Sequence, residues 1–326
     1  MDTKPNEERL LTGKGVNVKE VILKYSVYIV LACLVVIFSI ISPTFLSQAN
    51  IGNFFRQIPT VGIVTAGITM LIITGKVDLS AGSIAAFAGT AAAFLAIKGF
   101  SAPVVIGVAV LFGAAFGFIN GFLITKFALD SFILTLGTDY MIRGMILFFT
   151  NGIYVKGVPE WFYNLSNTKV GSDFIFTNTL VFIVVVILLG YVMQNTRFGR
   201  YCYAVGSNPE AARLSGININ MHLIKAFIIE GILAAVAGVL LMSNLNVGAP
   251  SEATGVGLFA LAAAIIGGAA FSGGVGSMAG AVVGIFTLEV FRNGLAILGL
   301  NSFIQQAVTG GIIIVAVVID YYRRTR

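Results

Sequence analysis

Long apolar runs recur along the whole chain, and they restrict its fold more than any other feature. A bilayer core about 30 Å thick requires about 20 apolar residues in each spanning helix. The runs lack the two-residue alternation that is typical of a membrane β-barrel. The sequence therefore predicts an all-α, polytopic membrane bundle with about ten transmembrane helices. The runs are Tyr25–Ser42, Ile51–Ile73, Ser80–Ile97, Val104–Thr125, Phe132–Thr150, Thr179–Met193, Leu223–Met242, Gly255–Phe271, Ser277–Leu298 and Phe303–Ile319.

Charged residues are too scarce for a water-soluble enzyme. They make up 10% of the 326 residues, and apolar residues make up 57%. Soluble domains carry about 25% charged residues, which their larger polar surface requires. The composition therefore excludes a soluble globular protein and agrees with burial in a lipid bilayer.

The basic residues give the bundle an orientation. They cluster at the two ends of the chain and in one central loop, and no basic stripe interleaves with aromatic residues as a nucleic-acid surface requires. Positive loops face the cytoplasm. We therefore expect both termini to be cytoplasmic, which requires an even number of spans. The predicted parts are a cytoplasmic N-terminal segment (1–24), a transmembrane domain (25–320) with a cytoplasmic loop (195–221), and a cytoplasmic C-terminal tail (321–326).

Nothing in the chain has the spacing of a metal, nucleotide or catalytic site. The single histidine, His222, has no cysteine or second histidine at ligand spacing. The Gly75-Lys76 dipeptide lacks the following Ser or Thr of a phosphate-binding loop. We therefore expect no catalytic residue, no metal and no cofactor on this chain.

Two spans have irregular sequences, and each leads into a loop of small residues. Pro59 interrupts the second run, and the run Gly255–Phe271 is short and rich in glycine. Interrupted spans in the two halves of a transporter indicate the substrate path, because freed backbone groups line a cavity there. The candidate path residues are Asp78, Ser80, Gly82 and Ser83 in the first loop and Gly273 and Gly274 in the second.

The charges inside the spans allow structural and functional interpretations. Asp139 and Arg143 are four residues apart on one helix, and Glu289 and Arg292 are three apart, so each pair is expected to meet on its own helix. Glu230 has no such partner, which makes it the candidate for an interhelical contact and an additional path residue. For Asp78, a local structural role beside Ser80 and Ser83, two potential caps of the next helix, is as plausible as substrate contact.

The central cytoplasmic loop contains a short predicted helix. Ser207 or Asn208 caps it, Pro209 suits its first turn, and Gly216 ends it. A capped helix with an Ala/Leu face outside the bilayer suits docking into a groove of another protein. The candidate docking residues are Asn208, Pro209, Glu210, Ala211, Ala212, Arg213, Leu214, Ser215 and Gly216.

Several segments of this loop resemble a known family. TRFGR (196–200), AVGSN (204–208) and AARLSGIN (211–218) are similar to the coupling segment of ribose-type simple-sugar ABC transporter permeases. GKVDLSAGS (75–83) resembles the family's GGIDLSVGS, and TLG (135–137), RG (143–144), TNG (150–152) and NGL (293–295) follow its remaining pattern. The resemblance runs from about Pro43 to Asp320.

The resemblance implies the permease subunit of a bacterial inner-membrane importer. Such a subunit forms the pathway for a sugar, here a pentose or another monosaccharide, and has no ATPase site of its own. The implied partners are a separate ABC ATP-binding subunit that binds ATP-Mg, an extracytoplasmic sugar-binding protein and a second permease copy. Residues 208–216 would be the coupling helix that docks on the ATPase.

Two departures from the family pattern leave the sugar and the dimer partner open. Lys76 replaces a small residue, and the stretch 257–262 lacks the acidic pair of the family's GYELDAIAA. The second copy is therefore either identical or a related permease. Two other classes also remain as alternatives, namely a secondary transporter driven by protons or sodium, and a scaffold protein without a pathway.

Overall fold

The computed structural model describes residues 18–324, and for residues 18–26, 313, 315–317 and 319–324 it describes the backbone alone. Residues 1–17 and 325–326 lie outside the described part, so the predicted cytoplasmic ends are covered only in part. The described helices are α1 (Val18–Ile41), α2 (Gln48–Ile73), α3 (Ala81–Ile97), α4 (Ala102–Phe127), α5 (Ser131–Thr150), α6 (Glu160–Asn167), α7 (Thr177–Asn195), α8 (Arg197–Ser207), α9 (Pro209–Leu214), α10 (Ile219–Leu245), α11 (Val256–Ile266), α12 (Met278–Ile297) and α13 (Ser302–Arg324).

The all-helical prediction is confirmed, and each predicted apolar run overlaps a helix. Within the described residues, six helices are long and apolar enough to cross a membrane, namely α2, α4, α5, α7, α10 and α12. The apolar helices α3 and α11 are shorter, with 17 and 11 residues. The isolated bridges Val155–Gly248 and Lys169–Phe176 are the strand-like pairings in the described part of the chain.

Helix α10 forms the centre of the bundle and packs against α4, α3 and α2. Small residues allow this approach: a Cβ added at Gly113 of α4 would collide with the carbonyl of Gly231 on α10, and one added at Gly89 of α3 would collide with the carbonyl of Gly238. In a bilayer, such close backbone contact supplies the dispersion attraction that holds helices together.

Helix α2 is continuous through Pro59, so the predicted interruption of this span is wrong. Proline removes the hydrogen bond to the carbonyl four residues earlier, which is that of Phe55. The Thr179 hydroxyl of α7 donates to that carbonyl at 2.7 Å, and the Asn178 amide donates to the carbonyl of Arg56 at 2.8 Å. Side chains of a neighbouring helix therefore satisfy the freed backbone groups, which is why the helix continues.

The run Gly255–Phe271 is helical only over α11, and the residues up to Ser277 form turns. Positive φ angles of 93° at Gly268 and 91° at Gly273 end the helical path, because glycine alone adopts them without strain. The irregularity that the sequence predicts here is thus located after the helix rather than within it.

The central loop contains two helices instead of one. Helix α8 was not predicted, although its start has a capping residue: the Thr196 hydroxyl accepts from the Gly199 N–H at 3.3 Å. Cys202 and Val205 bury one face of this helix. A helix that is polar overall but has a buried apolar face therefore connects α7 to the predicted docking helix.

Candidate functional site

The turn between α2 and α3 holds a buried hydrogen-bond network around Asp78. One oxygen of this carboxyl group accepts from the Ser80 N–H at 2.7 Å and from the Ser80 hydroxyl at 2.5 Å. The Asn120 amide of α4 donates to the other carboxyl oxygen at 3.3 Å and to the Ser80 hydroxyl at 2.9 Å, and the Thr138 hydroxyl of α5 donates to the Asn120 carbonyl oxygen at 2.8 Å. This Asp78 network (Asp78, Ser80, Asn120 and Thr138) links three elements through side chains alone.

Helix α5 also fixes the backbone of the same turn. The Ser131 hydroxyl accepts from the Val77 N–H at 3.2 Å, and the Thr135 hydroxyl accepts from the Leu79 N–H at 3.0 Å. The turn lacks a partner strand or helix for these N–H groups, and an unpaired N–H would be costly inside a bilayer. The small polar residues of α5 therefore hold the turn in place.

The capping role suggested for Ser80 and Ser83 is wrong. Ser80 occupies the N-cap position of α3 but makes no side-chain capping bond, and its hydroxyl instead donates to Asp78. The Ser83 hydroxyl donates to the carbonyl of Ser80 at 2.9 Å. The carboxyl group of Asp78, not a serine, satisfies the free N–H at this end of the helix.

Glu230 of α10 lies beside the Asp78 network. It is fully buried, its carbon chain packs over Gly67 of α2, and its carboxyl group interacts electrostatically with that of Asp78. Neither carboxyl oxygen has a hydrogen-bond partner of good geometry among the described residues. The structure thus brings together Glu230, Asp78 and Ser80 in the interior of the protomer.

The second loop of small residues packs against the first and against the end of α8. The Gly274 N–H donates to the Ile73 carbonyl at 2.9 Å, and the Tyr203 hydroxyl donates to the Gly276 carbonyl at 2.9 Å. A Cβ at Gly206 would collide with the same Ile73 carbonyl, and one at Gly273 would lie 2.9 Å from the carbonyl oxygen of Gly206. We call this contact of residues 73–75, 206–207 and 272–276 the glycine junction.

Cys202 lies in the buried wall of the glycine junction. It packs in one cluster with Ile73, Met193 and Met278. Burial raises the pKa of the Cys202 thiol to about 12, because a thiolate is poorly solvated there. Burial also raises the pKa of the neighbouring Tyr203 hydroxyl. The junction is therefore a closed, apolar contact rather than an open crevice.

The predicted docking segment forms α9, and its two faces differ. The Asn208 side chain caps the helix by accepting from the Ala211 N–H at 3.0 Å, and Gly216 has a φ of 84°. Ala212 is only 4% exposed and packs with Val205 of α8 and Leu223 of α10. The Ala/Leu docking face predicted from sequence therefore does not include Ala212.

The outward face of α9 contains the other candidate residues. Leu214 is 90% exposed, an unusual position for a large apolar side chain outside the spans. The remaining exposed members of the segment are Asn208, Pro209, Glu210, Ala211, Arg213, Ser215 and Gly216.

Of the two intrahelical charge pairs predicted from sequence, only one forms. The Arg292 guanidinium lies 3.9 Å from the Glu289 carboxylate, a loose contact. Asp139 and Arg143 form no ion pair in the described part of the chain. Arg143 instead donates through Nη1 to the backbone carbonyl of Glu252 at 3.3 Å. A tertiary contact with the segment before α11 therefore replaces the local pair, which the spacing of the two residues alone could not reveal.

Comparison with protein-family models places most of the chain in one family. Residues 50–317 match the model described as a branched-chain amino acid transport system / permease component. This range contains the Asp78 network, the glycine junction and α9, so every structural feature of the candidate site lies within the matched part.

Curated relatives extend the likeness to nearly the full chain. The ribose import permease protein RbsC of Escherichia coli K12 is 34% identical over 95% of this chain and 97% of its own. The D-allose transport system permease protein AlsC of the same strain is 36% identical over 91% of each chain. The L-arabinose ABC transporter permease protein AraH of Azospirillum brasilense is 33% identical over 88% of this chain and 84% of its own. No solved structure matches the chain significantly.

Proposed function

The chain belongs to the ABC transporter permease family that includes the ribose, allose and arabinose permeases, and on this premise we propose that it is the membrane-spanning subunit of a sugar importer. It forms the translocation pathway for a pentose or another monosaccharide in the bacterial inner membrane. The observation that carries the proposal is the continuous likeness to a ribose import permease, which covers 95% of this chain.

We further propose that the energy for transport comes from partner chains. A separate ABC ATP-binding subunit binds ATP-Mg, an extracytoplasmic binding protein delivers the sugar, and a second permease copy, identical or related, completes the pathway. The exposed face of α9 supports the proposed binding of the ATP-binding subunit. A capped helix that exposes Leu214 suits a groove on another protein.

The route from α9 into the bundle supports the same assignment. Ala212 packs against α8, and the end of α8 forms part of the glycine junction with the turn that leads to Asp78. Closely packed backbones of this kind transmit a displacement instead of absorbing it, because they leave no free volume. Residues 208–216 are therefore proposed as the coupling helix. The turns that contain Asp78, Ser80, Gly82, Ser83, Gly273 and Gly274, with Glu230 beside them, are proposed to flank the sugar route.

The finer topology is also a proposal. We expect ten spans with both termini cytoplasmic, so that α8 and α9 face the cytoplasm and α6 faces the exterior. A membrane-impermeant thiol reagent applied to intact cells should then label a cysteine at Glu160 but not one at Arg200, both of which are exposed positions. Labelling at Arg200 from outside would contradict this topology.

Sugar uptake by reconstituted proteoliposomes tests the function. The vesicles contain this chain with the ATPase and the binding protein encoded next to it, and the substrates are radiolabelled D-ribose, L-arabinose and D-allose. We expect uptake of one of them to require both ATP and the binding protein and to be unaffected by an uncoupler. Absence of ATP-dependent uptake for all three would contradict a pentose or hexose importer.

One observation favours a second candidate, a transporter driven by a proton gradient. The buried carboxyl group of Glu230 has no cation beside it among the described residues, and groups of this kind are found in proton pathways. The same assay separates the two functions. Uptake that an uncoupler abolishes and that persists without ATP would support the proton-driven transporter.

A further inference from the structure

The segment Ser251–Gly255, which we call the open segment, connects α10 to α11 through turns. Ala253 has a φ of 57° and Gly255 a φ of 76°, and the Thr254 hydroxyl donates to the Ser251 carbonyl at 2.8 Å. The open segment therefore has irregular backbone with polar side chains, in a chain that otherwise spans the membrane as helices.

Contacts with α3 place the open segment deep in the bundle. A Cβ added at Gly248 would lie 3.1 Å from the Cβ of Ala93, near the far end of α3, whereas the Ala253 carbonyl rests on Gly82 at the start of that helix. These two positions on α3 are 11 residues apart, which is about 16 Å at 1.5 Å per residue. From Gly82 to Ile97, where α3 ends, the distance is about 22 Å. The open segment thus reaches well into a hydrocarbon layer about 30 Å thick.

The open segment is not covered by the protomer. Ser251, Glu252, Thr254 and Gly255 are all exposed, and only Ala253 is buried. Non-helical backbone at membrane depth is tolerated only where protein buries it or where it lines a water-filled cavity, because lipid cannot satisfy its polar groups. Since the protomer does not bury these residues, either a second copy or water must cover them, and the exposed charge of Glu252 with the hydroxyl groups of Ser251 and Thr254 favours water.

The side chains beside the open segment suit a polyhydroxylated solute. Arg143 holds the Glu252 carbonyl with one nitrogen and so fixes the open segment against α5, while its Nε and Nη2 are buried and have no partner in the described part of the chain. The Tyr154 hydroxyl lies 3.4 Å from the Ser251 hydroxyl, and both residues are exposed. The exposed hydroxyl groups of Ser251, Thr254 and Tyr154, with the ring face of Tyr154, match the hydroxyl groups and apolar ring faces of a sugar.

We propose that the open segment, with Arg143 and Tyr154, lines the aqueous route and forms a transient contact site for a neutral polyhydroxylated solute such as a monosaccharide. This assignment rests on the proposed function and places the route on the outer surface of α5 and of the segment before α11. Few direct contacts suit such a site, because a solute in a pathway must leave it as readily as it enters.

Cysteine accessibility tests the aqueous surface directly. In a Cys33→Ser background, Thr254→Cys and Leu111→Cys variants are assembled with the ATPase in nanodiscs and treated with a charged methanethiosulfonate reagent. Leu111 is the matched control, since it is 69% exposed near the middle of α4 but surrounded by apolar residues. We expect Thr254→Cys to react at least about tenfold faster, because the reagent does not partition into lipid. Equal rates at the two positions would overturn the proposal.

Transport by an Arg143 variant separates this site from the proposed function as a whole. Arg143→Met should lower the uptake of the transported sugar at least tenfold while ATPase binding stays unchanged. The matched control, Lys98→Met, removes an exposed cation at the end of α3 that forms no ion pair in the described part of the chain, and it should retain uptake. If the wild-type complex transports a sugar but Thr254→Cys is unreactive, this inference fails and the proposed function stands. If the wild-type complex transports no sugar, the proposed function fails, and the labelling rates still decide whether the surface is aqueous.

Discussion

The glycine junction and the open segment are both irregular and rich in small residues, yet they are packed in opposite ways. In the junction, the Gly274 N–H donates to the Ile73 carbonyl, and the glycines of two segments, 206–207 and 272–276, leave no room for a side chain. In the open segment, four of five residues are exposed. Small residues therefore accompany close backbone packing in the glycine junction and an exposed surface in the open segment. Only the neighbouring elements decide which of the two applies.

The Asp78 network lies between these two regions and connects them. The turn that begins at the junction with Ile73 contains Asp78 and ends where Gly82 meets the Ala253 carbonyl of the open segment. A movement of α9 thus has a continuous packed path to the proposed sugar route. Substitutions in the glycine junction, on the exposed face of α9 and in the Asp78 network should therefore affect transport, ATPase binding and stability, respectively.

The largest effect is expected from filling the glycine junction. Gly206→Val places side-chain atoms against the Ile73 carbonyl and the Gly274 nitrogen, both backbone atoms that cannot move aside easily. Overpacking costs about 1–3 kcal/mol, and here it also separates α8 from the turn. We expect ATP-dependent sugar uptake to be abolished while the protein still inserts into the membrane. Gly107→Val, where nothing lies within 4 Å, is the control and should transport normally. Normal uptake by Gly206→Val would mean that the junction does not transmit movement of α9 to the turn that contains Asp78.

A smaller effect is expected at the outer surface of α9. Leu214→Asp introduces a charge at the most exposed apolar position of the helix, and central contacts of an interface are worth about 2 kcal/mol or more. Binding of the ATPase, measured by co-purification from nanodiscs, should weaken at least about tenfold without a change in thermal stability.

Ala212→Trp provides the contrast to Leu214→Asp on the same helix. Ala212 faces Val205 and Leu223, so the larger side chain should lower the melting temperature of the chain itself. If Leu214→Asp binds the ATPase as tightly as the wild type, α9 is not the docking element.

We expect substitutions of the two buried acids, Asp78 and Glu230, to differ in their effect on the free energy of unfolding. Asp78→Ala leaves the Ser80 N–H and hydroxyl without their acceptor and removes one of the two acceptors of the Asn120 amide, and each buried unsatisfied group costs about 1–3 kcal/mol. Glu230→Gln removes no hydrogen bond of good geometry and should cost less. Denaturant titration of the purified chain compares them. Equal destabilisation by the two variants would show that Asp78 does not hold the turn.

The smallest effect concerns the reactivity of Cys202. The thiolate is the reacting form, and burial raises the pKa of the Cys202 thiol from its ordinary value of 9.0 to about 12. At pH 8 a maleimide should therefore modify Cys202 about a thousandfold more slowly in the native protein than in detergent-denatured protein. Because this pKa is raised on folding, its contribution to stability is present below pH 9 and is lost as the pH rises towards 12. A Cys33→Ser background isolates the signal, and rapid native labelling would indicate that the junction opens.

The sequence predicted the apolar helices and the position of α9, because both follow from local patterns. Hydrophobic length located the spans, and Asn208, Pro209 and Gly216 marked the limits of α9 through capping chemistry. It also identified Asp78 and Ser80, whose interaction is local.

Contacts between segments that are distant in the chain could not be predicted from the sequence. Pro59 did not break its helix because Thr179, 120 residues later in the chain, supplies the missing donor. Arg143 likewise donates to the backbone carbonyl of Glu252, a residue distant in the chain, and forms no ion pair with Asp139 on its own helix. Burial of Ala212 depended on Leu223 of the next helix. Each of these outcomes depends on which element packs alongside, and no single-chain periodicity contains that information.

The most direct test of the account is the modification rate of Thr254→Cys in the assembled transporter with and without ATP. If α9 and the glycine junction control the sugar route, nucleotide binding at the partner should change this rate about fivefold or more, a coupling that corresponds to about 1 kcal/mol or more. The change should disappear when Gly206→Val is added. A rate that is the same in the nucleotide-free and ATP-bound complexes would contradict the proposal that the two regions are linked.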